Sequence, residues 1–442
     1  MHARAKHEPL QLASRTMRML GLAPLLVAAP AWAGTWVVDD DGGPGVHFTD
    51  IPPAIAAAST GDLIVVRAGQ YSAFTLDKAI VIRGETGVNV APDVVIENIL
   101  PGTKCALSTC HLTTMVVRNC DGGVLLESLN LVQPSPGGND VGSFEYVMVE
   151  NCNDVRLRSC SLLGSSSSNN VNSSTVGMTV WNSRVEIVSS SLRGQVGEGE
   201  NECGIPTEGG AGLLCFTSSR AHAALSSIRG GDGGLLDSCA WGTQSGDGAA
   251  GVIVSPSAEI VLTGLASHHI TGGHAGYSWS PGCGYGGQGD GGAGLRVEGL
   301  ARYSGVTLTG GGSACSYGQG SPLSVSSGGS AVQPTTPDPT LALVGPEPGT
   351  SLSVELRAPP GANAHLWVGR TMIVEPSTGI EIELLTSKAR LIALGIVPAS
   401  GVITATMSLP PLPSGYILIA QADAVLTSGA TLRTNSLAMT VR

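Results

Sequence analysis

Charged side chains are scarce in this sequence, and basic ones are scarcer than acidic ones. Asp, Glu, Lys and Arg make up 13 % of the 442 residues, and 23 Lys and Arg stand against 34 Asp and Glu, which leaves a formal net charge of −11. No stretch of the chain forms the cluster of Lys and Arg that nucleic-acid binding requires. The charge balance therefore argues against a nucleic-acid partner, and it gives little reason to expect binding to an anionic membrane surface.

Aromatic residues and helical patterns are also lacking. Aromatics make up 4 % of the chain, and the long 3.6-residue periodicity of helical repeats is absent. A hydrophobic fraction of 42 % excludes a disordered chain, and 62 glycines are about twice the ordinary number. The composition predicts a folded, Gly-rich, mostly β protein that is long enough for two domains.

Long apolar runs are missing except near the start of the chain. Residues 17–33, MRMLGLAPLLVAAPAWA, place Arg18 before an apolar run and end on the small-x-small site Ala31-Trp32-Ala33. The run is too short to span a bilayer, and no later segment has 18 apolar residues in a row. We predict a signal peptide over 1–33, no transmembrane segment after it, and a secreted or cell-surface protein.

A repeat is what the sequence does contain. Six units, spaced by roughly 30 to 45 residues, open with short alternating strands: MVVRN (115–119), VMVEN (147–151), MTVWN (178–182), LLCFT (213–217), VIVSP (252–256) and LRVEG (295–299). Units of this kind bury their apolar sides by stacking at strand spacing, about 4.8 Å. We therefore predict an all-β protein whose main part, 34–331, is a right-handed parallel β-helix.

Each unit carries a second apolar segment, and alignment of the units predicts two stacked columns. One column comprises Leu129, Leu162, Leu192, Ile228, Leu265 and Leu308. The other comprises Val124, Leu157, Ile187, Ala223, Ile260 and Tyr303.

The units are longer than a bare β-helix coil, and the excess follows the second segment, as in 194–210, 230–248 and 272–292. Insertions that leave adjacent coils at equivalent points should form one wall or lobe. The chain has ten cysteines and no CxxC pair, which favours disulfides over a zinc ribbon in an exported protein. The disulfide candidates are Cys203, Cys239, Cys283 and Cys315 in four consecutive insertions, with Cys105 and Cys110; the pairing stays open, and free buried thiols are the alternative.

The segment from 34 to 84 resembles the opening of the pectin-lyase-like β-helix superfamily. The matching features are Phe48-Thr49, AIAAA (54–58), GDLIVVRAGQY (61–71) and IVIRG (80–84). The resemblance extends to about residue 331 and implies a secreted bacterial β-helix repeat protein. The alanine-rich segment is expected to form a short helix that closes the open end of the solenoid.

A Pro/Thr linker, AVQPTTPDP (331–339), precedes a change of composition. Alternating stretches such as SLSVELRA, GIEIELLT and YILIAQADAV then follow, separated by Pro and Gly turns. Residues 338–442 are therefore predicted to form a small C-terminal β-sandwich module.

Candidate ligand-binding residues lie on the outward side of the predicted strands. One set is a ladder of alternating charge, Arg156, Glu186, His222, Glu259 and Arg302, which a uronate chain could use and which otherwise would be a salt-bridged surface. Another is Trp181 and Phe216, which occupy the same repeat position and could hold sugar rings or pack under the insertions.

Metal sites are weakly indicated. His268, His269 and His274 form HHxxxxH, a spacing that could hold Zn²⁺ or Cu²⁺. Carboxylates for Ca²⁺ occur at Asp39–Asp41 and in GEGENE (197–202), but we expect no cofactor, with Ca²⁺ as the open alternative.

These patterns predict an exported cell-surface or envelope protein that binds extracellular polysaccharide or serves a structural role without catalysis. The alternative is a polysaccharide lyase or glycoside hydrolase that acts on an acidic polysaccharide. The superfamily's hydrolases need clustered Asp residues and a Gly-His pair; Gly273-His274 occurs without the Asp cluster.

Overall fold

The structure is a computed structural model, and it describes residues 34–131, 147–164, 176–197, 206–235, 245–276, 289–313, 318–345, 348–369, 372–373, 384–385 and 390–441. The first part contains β1 (Thr35–Val38), α1 (Ile51–Ala57), β2 (Leu63–Val66), β3 (Gly69–Leu76), β4 (Val81–Gly84), β5 (Val88–Glu97), β6 (Lys104–Ser108), β7 (His111–Arg118), β8 (Gly123–Glu127), β9 (Asn130–Leu131), β10 (Val147–Glu150), β11 (Asp154–Arg158), β12 (Ser161–Leu163), β13 (Met178–Trp181), β14 (Arg184–Val188), β15 (Ser191–Arg193), β16 (Leu213–Phe216), β17 (Arg220–Ala224), β18 (Ser227–Arg229), β19 (Val252–Val254), β20 (Glu259–Thr263), β21 (His269–Thr271), β22 (Leu295–Val297), β23 (Leu300–Ser304), β24 (Thr307–Thr309), β25 (Leu323–Val325) and β26 (Ser330–Val332). The last part contains β27 (Thr340–Leu343), β28 (Ser351–Arg357), β29 (Asn363–Gly369), β30 (Met372–Ile373), β31 (Leu384–Leu385), β32 (Arg390–Ile396), β33 (Val402–Ser408), β34 (Ile417–Val425) and β35 (Thr431–Thr440).

Strands β1 to β26 form two long parallel sheets. The smaller parallel sheet has 11 strands in the order β1-β2-β4-β6-β8-β11-β14-β17-β20-β23-β26. The larger has 15 strands and runs β24-β21-β18-β15-β12-β9-β7-β10-β13-β16-β19-β22-β25, with β5 on β7 and β3 on β5. Each repeat adds one strand to the smaller sheet and one long or two short strands to the larger. This arrangement is all-β and compatible with the predicted parallel β-helix.

The stacking of the repeats follows the period of two in their strands. The six predicted first strands pair in sequence order, and one inward column runs through Val117, Val149, Val180, Cys215, Val254 and Val297. All six side chains are buried. Alternate residues point to opposite faces of a strand, so one inward residue per repeat builds a continuous apolar column.

The two predicted columns of the second segments were right at eight of their twelve positions and wrong at Leu129, Leu265, Val124 and Ile260. Leu162, Leu192, Ile228 and Leu308 stack as predicted, but the column passes through Leu131 in place of Leu129 and through Ile270 in place of Leu265. Leu157, Ile187, Ala223 and Tyr303 share the other column with Leu126 and Leu262, whereas Val124 and Ile260 belong to the neighbouring inward column. For Leu129, Val124 and Ile260 the shift is two residues, which keeps a side chain on the inward face, so hydrophobicity alone could not detect it.

One set of turns between the sheets uses asparagine, which tolerates left-handed backbone. Asn119, Asn151 and Asn182 occupy one turn of successive repeats with φ of 54°, 52° and 44°. Asn182 donates an amide hydrogen bond to Asn151 at 2.9 Å, and Asn151 donates one to Asn119 at 3.4 Å. Asn is the non-glycine residue best suited to this conformation, and the stacked amides hold neighbouring turns in register.

The predicted N-terminal helix is present as α1, but it begins before Ala54. Asp50 caps it by accepting a hydrogen bond from the Ile51 N–H at 2.8 Å, and two prolines occupy its first turn. Proline costs nothing there because the first N–H groups of a helix have no partner. Ile51, Ala54 and Ile55 are buried and join the core of the parallel sheets.

Strands β27 to β35 are antiparallel. They form a three-stranded sheet, β27-β28-β33, a four-stranded sheet, β32-β29-β34-β35, and the pair β30-β31. Alternate residues of β28 and β29 enter one apolar cluster with those of β34 and β35, an arrangement compatible with the predicted sandwich. The four-stranded sheet also packs on the smaller parallel sheet, where Ile419 and Ala438 contact a cluster that includes Leu63 and Leu125.

Candidate functional site

The insertions divide the strands of the larger parallel sheet. Strands β5 and β7 are long and continuous, whereas later repeats replace them with two short strands, such as β15 and β16, on either side of an insertion. The described parts of these insertions are 194–197, 206–211, 230–235, 245–250, 272–276, 289–294, 310–313 and 318–321. We call them together the glycine lobe.

The glycine lobe is held together by backbone hydrogen bonds between its segments. A continuous series of N–H to carbonyl hydrogen bonds, each 2.7 to 2.9 Å long, links all eight segments. The donor and acceptor residues are, in order, Gly210 to Gln195, Gly231 to Gly210, Ala249 to Gly231, Gly273 to Ala249, Gly292 to Gly273, Gly311 to Gly292 and Gly320 to Gly311. The described segments of the lobe contain neither helix nor strand, so these bonds between segments take the place of a regular ladder. The prediction that the insertions lie side by side and form one lobe is consistent with this lattice.

At Gly194 and Gly231 of the lobe, glycine is required for space and not for unusual backbone angles. A Cβ on Gly231 would lie 1.4 Å from the Gln195 carbonyl oxygen, and one on Gly194 would lie 1.8 Å from that of Gly210. Neither glycine has a positive φ. At these two positions backbone packs directly on backbone, and a side chain has no room.

The lobe is tied to the parallel sheet by two arginines that share one carboxylate. Arg193 and Arg229 are neighbours in register on β15 and β18. Asp232 accepts from Arg193 Nη2 at 3.3 Å and from Arg229 Nη2 at 2.7 Å, and it also accepts the His274 N–H at 2.7 Å. Like charges placed opposite each other are unfavourable, so Asp232 offsets the repulsion within the pair.

The predicted disulfide cysteines divide into two groups. Cys203, Cys239, Cys283 and Cys315 lie outside the described residues. The prediction is wrong for Cys105 and Cys110, which are free, buried thiols in the core. Burial disfavours the thiolate and raises the pKa of Cys110 to about 12, so these residues act as small apolar side chains.

The three histidines proposed for a metal are engaged separately. His268 Nδ1 accepts the Leu265 N–H at 3.1 Å, and His274 Nδ1 accepts the Gly312 N–H at 2.8 Å. His269 is an exposed residue of β21. Within the described ranges, Asp39, Asp40 and Asp41 are the only His, Cys, Asp or Glu group whose ligand atoms all lie within 4.8 Å of one another.

The predicted charged ladder is largely covered by the C-terminal strands. Arg156, Glu186 and His222 pair in register, but the next residue is Val261, and Glu259 pairs with Arg220 instead. Arg302 follows Val261 in this row and donates two hydrogen bonds to Asp338, at 2.6 and 2.8 Å.

Ser436 of β35 closes over the centre of this row. Its N–H donates to Glu186 at 2.6 Å, its hydroxyl donates to the same carboxylate, and Arg156 donates to its Oγ at 2.9 Å. Burial raises the pKa of Glu186, with Arg156 acting against the shift. Burial also lowers the pKa of His222 to about 4. These groups hold the C-terminal strands on the sheet and do not line an open groove.

A second buried ion pair at this interface was not predicted from the sequence. Arg158 contacts Glu127, which is fully buried, and Glu127 accepts the Thr440 hydroxyl hydrogen bond at 2.6 Å. The signal available in the sequence was the matching position of the two residues in adjacent units, Glu127 and Arg158, which face each other in register. Without knowledge of the covering module, such a pair reads as an ordinary surface contact.

Trp181 and Phe216 do come together, and on an open face. They pair in register on β13 and β16, with ring centroids 4.7 Å apart and an interplanar angle of 46°. Trp181 is 43 % exposed to solvent. The same row continues through Glu150, Arg118 and Glu97, with Arg118 and Glu97 in an ion pair of 2.8 Å.

We call Glu97, Arg118, Glu150, Trp181 and Phe216 the outer row. At strand spacing the outer row spans about 20 Å. Trp181 and Phe216 form an aromatic ledge at one end, and the charged groups lie at the other. Asn119, Asn151 and Asn182 follow it by one residue, and all three are exposed. The outer row therefore offers apolar ring faces beside amide and carboxylate groups.

No family model and no curated protein matches the chain. In the part of the chain that the structure describes, no helix is both long and apolar enough to span a membrane.

Proposed function

We propose that this protein is an exported, non-catalytic protein of the cell surface or envelope that binds extracellular polysaccharide along the outer row. In this proposal residues 1–33 are the signal peptide, 34–331 a right-handed parallel β-helix of the pectin-lyase-like kind, and 338–442 a β-sandwich module. The observation that carries the proposal is the aromatic ledge of Trp181 and Phe216.

Exposure of the aromatic ledge to water is unfavourable unless a ligand covers it. An indole left 43 % exposed in a chain with 4 % aromatics keeps apolar area in water that burial would stabilise. Sugar rings present C–H faces that stack on such rings, while their hydroxyls hydrogen-bond to neighbouring amides and carboxylates. Asn151 and Asn182 lie beside the ledge and can serve the hydroxyls.

The regular spacing of the outer row favours a polymer over a small molecule. Its groups repeat at the strand spacing of about 4.8 Å, which suits a chain lying across the strands. The covered position of Arg156, Glu186 and His222 favours this row over the charged ladder, because a ligand for the ladder would have to displace Ser436.

The test is binding of the mature protein to a panel of neutral and acidic polysaccharides by affinity electrophoresis and calorimetry. Trp181→Ala should weaken binding by about 5- to 30-fold, since one stacked ring contributes about 1–2 kcal/mol. Leu163→Ala is the matched control, because Leu163 is an exposed apolar residue on the same sheet, 38 % accessible, outside the outer row.

Two results would count against the proposal. Equal retention of Trp181→Ala and the unmodified protein would remove the outer row from binding. Release of unsaturated ends from a polyuronate by the unmodified protein would instead favour the lyase alternative.

A further inference from the structure

The last strands of the two parallel sheets come from a segment without charged residues. Between Arg302 and Asp338 the sequence has no Lys, Arg, Asp or Glu. This segment supplies β24, β25 and β26, which are the last strands on one end of both parallel sheets. It also supplies 310–313 and 318–321, the last two segments of the glycine lobe.

That end of the molecule presents strand edges to solvent. Val325 and Val332 are 45 % and 46 % exposed, and Leu308, Leu323 and Ala331 are only partly buried where they meet the core. Among the residues described, no side chain or added segment bonds to the outer edges of β24, β25 or β26. Proteins ordinarily protect such edges with charge, proline or a covering element, because unpaired edges recruit other strands.

At the opposite end of the parallel sheets, the strand edges are covered by other parts of the chain. Residues 46–48 lie along the edge of β1, where the His47 and Phe48 N–H groups bond to the Val37 carbonyl. Asp40 and Asp50 accept the Gln70 and Ser72 N–H groups on the edge of β3. Helix α1 covers the core beside them.

We propose that the uncharged end, defined as β24, β25, β26 and the last two lobe segments, binds the same end of a second copy of this chain. The net charge of −11 makes two copies repel each other, and the residues of the uncharged end add no acidic group to that repulsion. Each edge also carries both N–H donors and carbonyl acceptors, so it is complementary to itself when a two-fold axis turns the partner strand antiparallel.

This arrangement gives a closed dimer and not a filament. The protected end, with α1 and the capped edges of β1 and β3, cannot add a further copy. The sheet ends and lobe ends form a small contact, so we expect a dissociation constant of about 1–100 μM.

The experiment is sedimentation velocity on the mature full chain over a concentration series, with reductant present to remove intermolecular disulfides. Val325→Lys and Val332→Lys should each weaken the dimer by about 30-fold or more, because an unpaired ammonium would be buried in an uncharged contact. Leu100→Lys is the control, since Leu100 is 68 % exposed and lies away from this end. Raising the salt concentration should strengthen the dimer by screening the repulsion between acidic copies.

A monomer at every concentration up to about 300 μM, well above the expected dissociation constant, overturns the proposal. So does a dimer that survives both lysine substitutions, or an open series of larger oligomers. Urea unfolding of each variant establishes that it is folded, and hydrogen exchange at 323–332 should slow as the dimer forms.

Discussion

The glycine lobe makes a sharp prediction at Gly231, where a single methyl group has no room. A Cβ there would lie 1.4 Å from the Gln195 carbonyl oxygen and 2.3 Å from its carbon. Ordinary contact requires about 3.4 Å, so the two segments must separate by about 2 Å. A backbone hydrogen bond stretched by that amount is lost.

Three bonds converge on this point. Gly231 donates to Gly210 at 2.7 Å, Gly210 donates to Gln195 at 2.8 Å, and Ala249 donates to Gly231 at 2.9 Å. At about 1 kcal/mol net for each bond, Gly231→Ala should destabilise the lobe by about 3 kcal/mol. The measurement is hydrogen exchange at lobe amides, together with the urea midpoint.

Gly349→Ala is the control, because a Cβ there meets nothing within 4 Å and the residue has no positive φ. We expect it to change stability by less than about 0.5 kcal/mol. Unchanged hydrogen-exchange protection of the lobe amides in Gly231→Ala would refute the claim that glycine is needed there because a Cβ has no room.

Two further predictions concern buried groups. Burial lowers the pKa of His222 to about 4. The charge of Asp338 opposes this shift and that of Arg184 adds to it, while Glu186 faces the ring. Because the unfolded histidine takes up a proton near pH 6.5 that the folded one does not, stability should fall by up to about 3 kcal/mol as the pH falls from 6.5 toward 4. His222→Gln should remove that part of the slope in urea unfolding across this range, and an unaltered slope would contradict the burial of a neutral ring. Burial also raises the pKa of Cys110 and Cys215 to about 12, so peptide mapping should find both unlabelled by a thiol reagent until urea unfolds the chain; labelling in the native protein would contradict their place in the core.

The architecture followed from the sequence because repetition and alternation are local properties. Residues such as Val149 and Val180 recur with the same neighbours, and a period of two places them inward without knowledge of the rest of the chain. The exact partners did not follow: Val124 and Ile260 were assigned to the wrong inward column, because either register buries the same kind of side chain.

The candidate site was predictable only in part, for a similar reason. Trp181 and Phe216 meet because they share a repeat position, which the sequence contains. Whether a row is open depends on what packs over it, and that is a contact between segments hundreds of residues apart. The ladder from Arg156 to His222 looked like a surface until β35 placed Ser436 on it.

The sequence by itself determined that short strands alternate, that like residues stack, and that the insertions lie together. The tertiary structure decided which outward faces meet water, which carboxylates are buried, and why the insertions are glycine. The hydrophobic period is a property of residues that are neighbours along the chain. Exposure, desolvation and the space for a Cβ depend instead on atoms that only the folded chain brings within a few ångströms of one another.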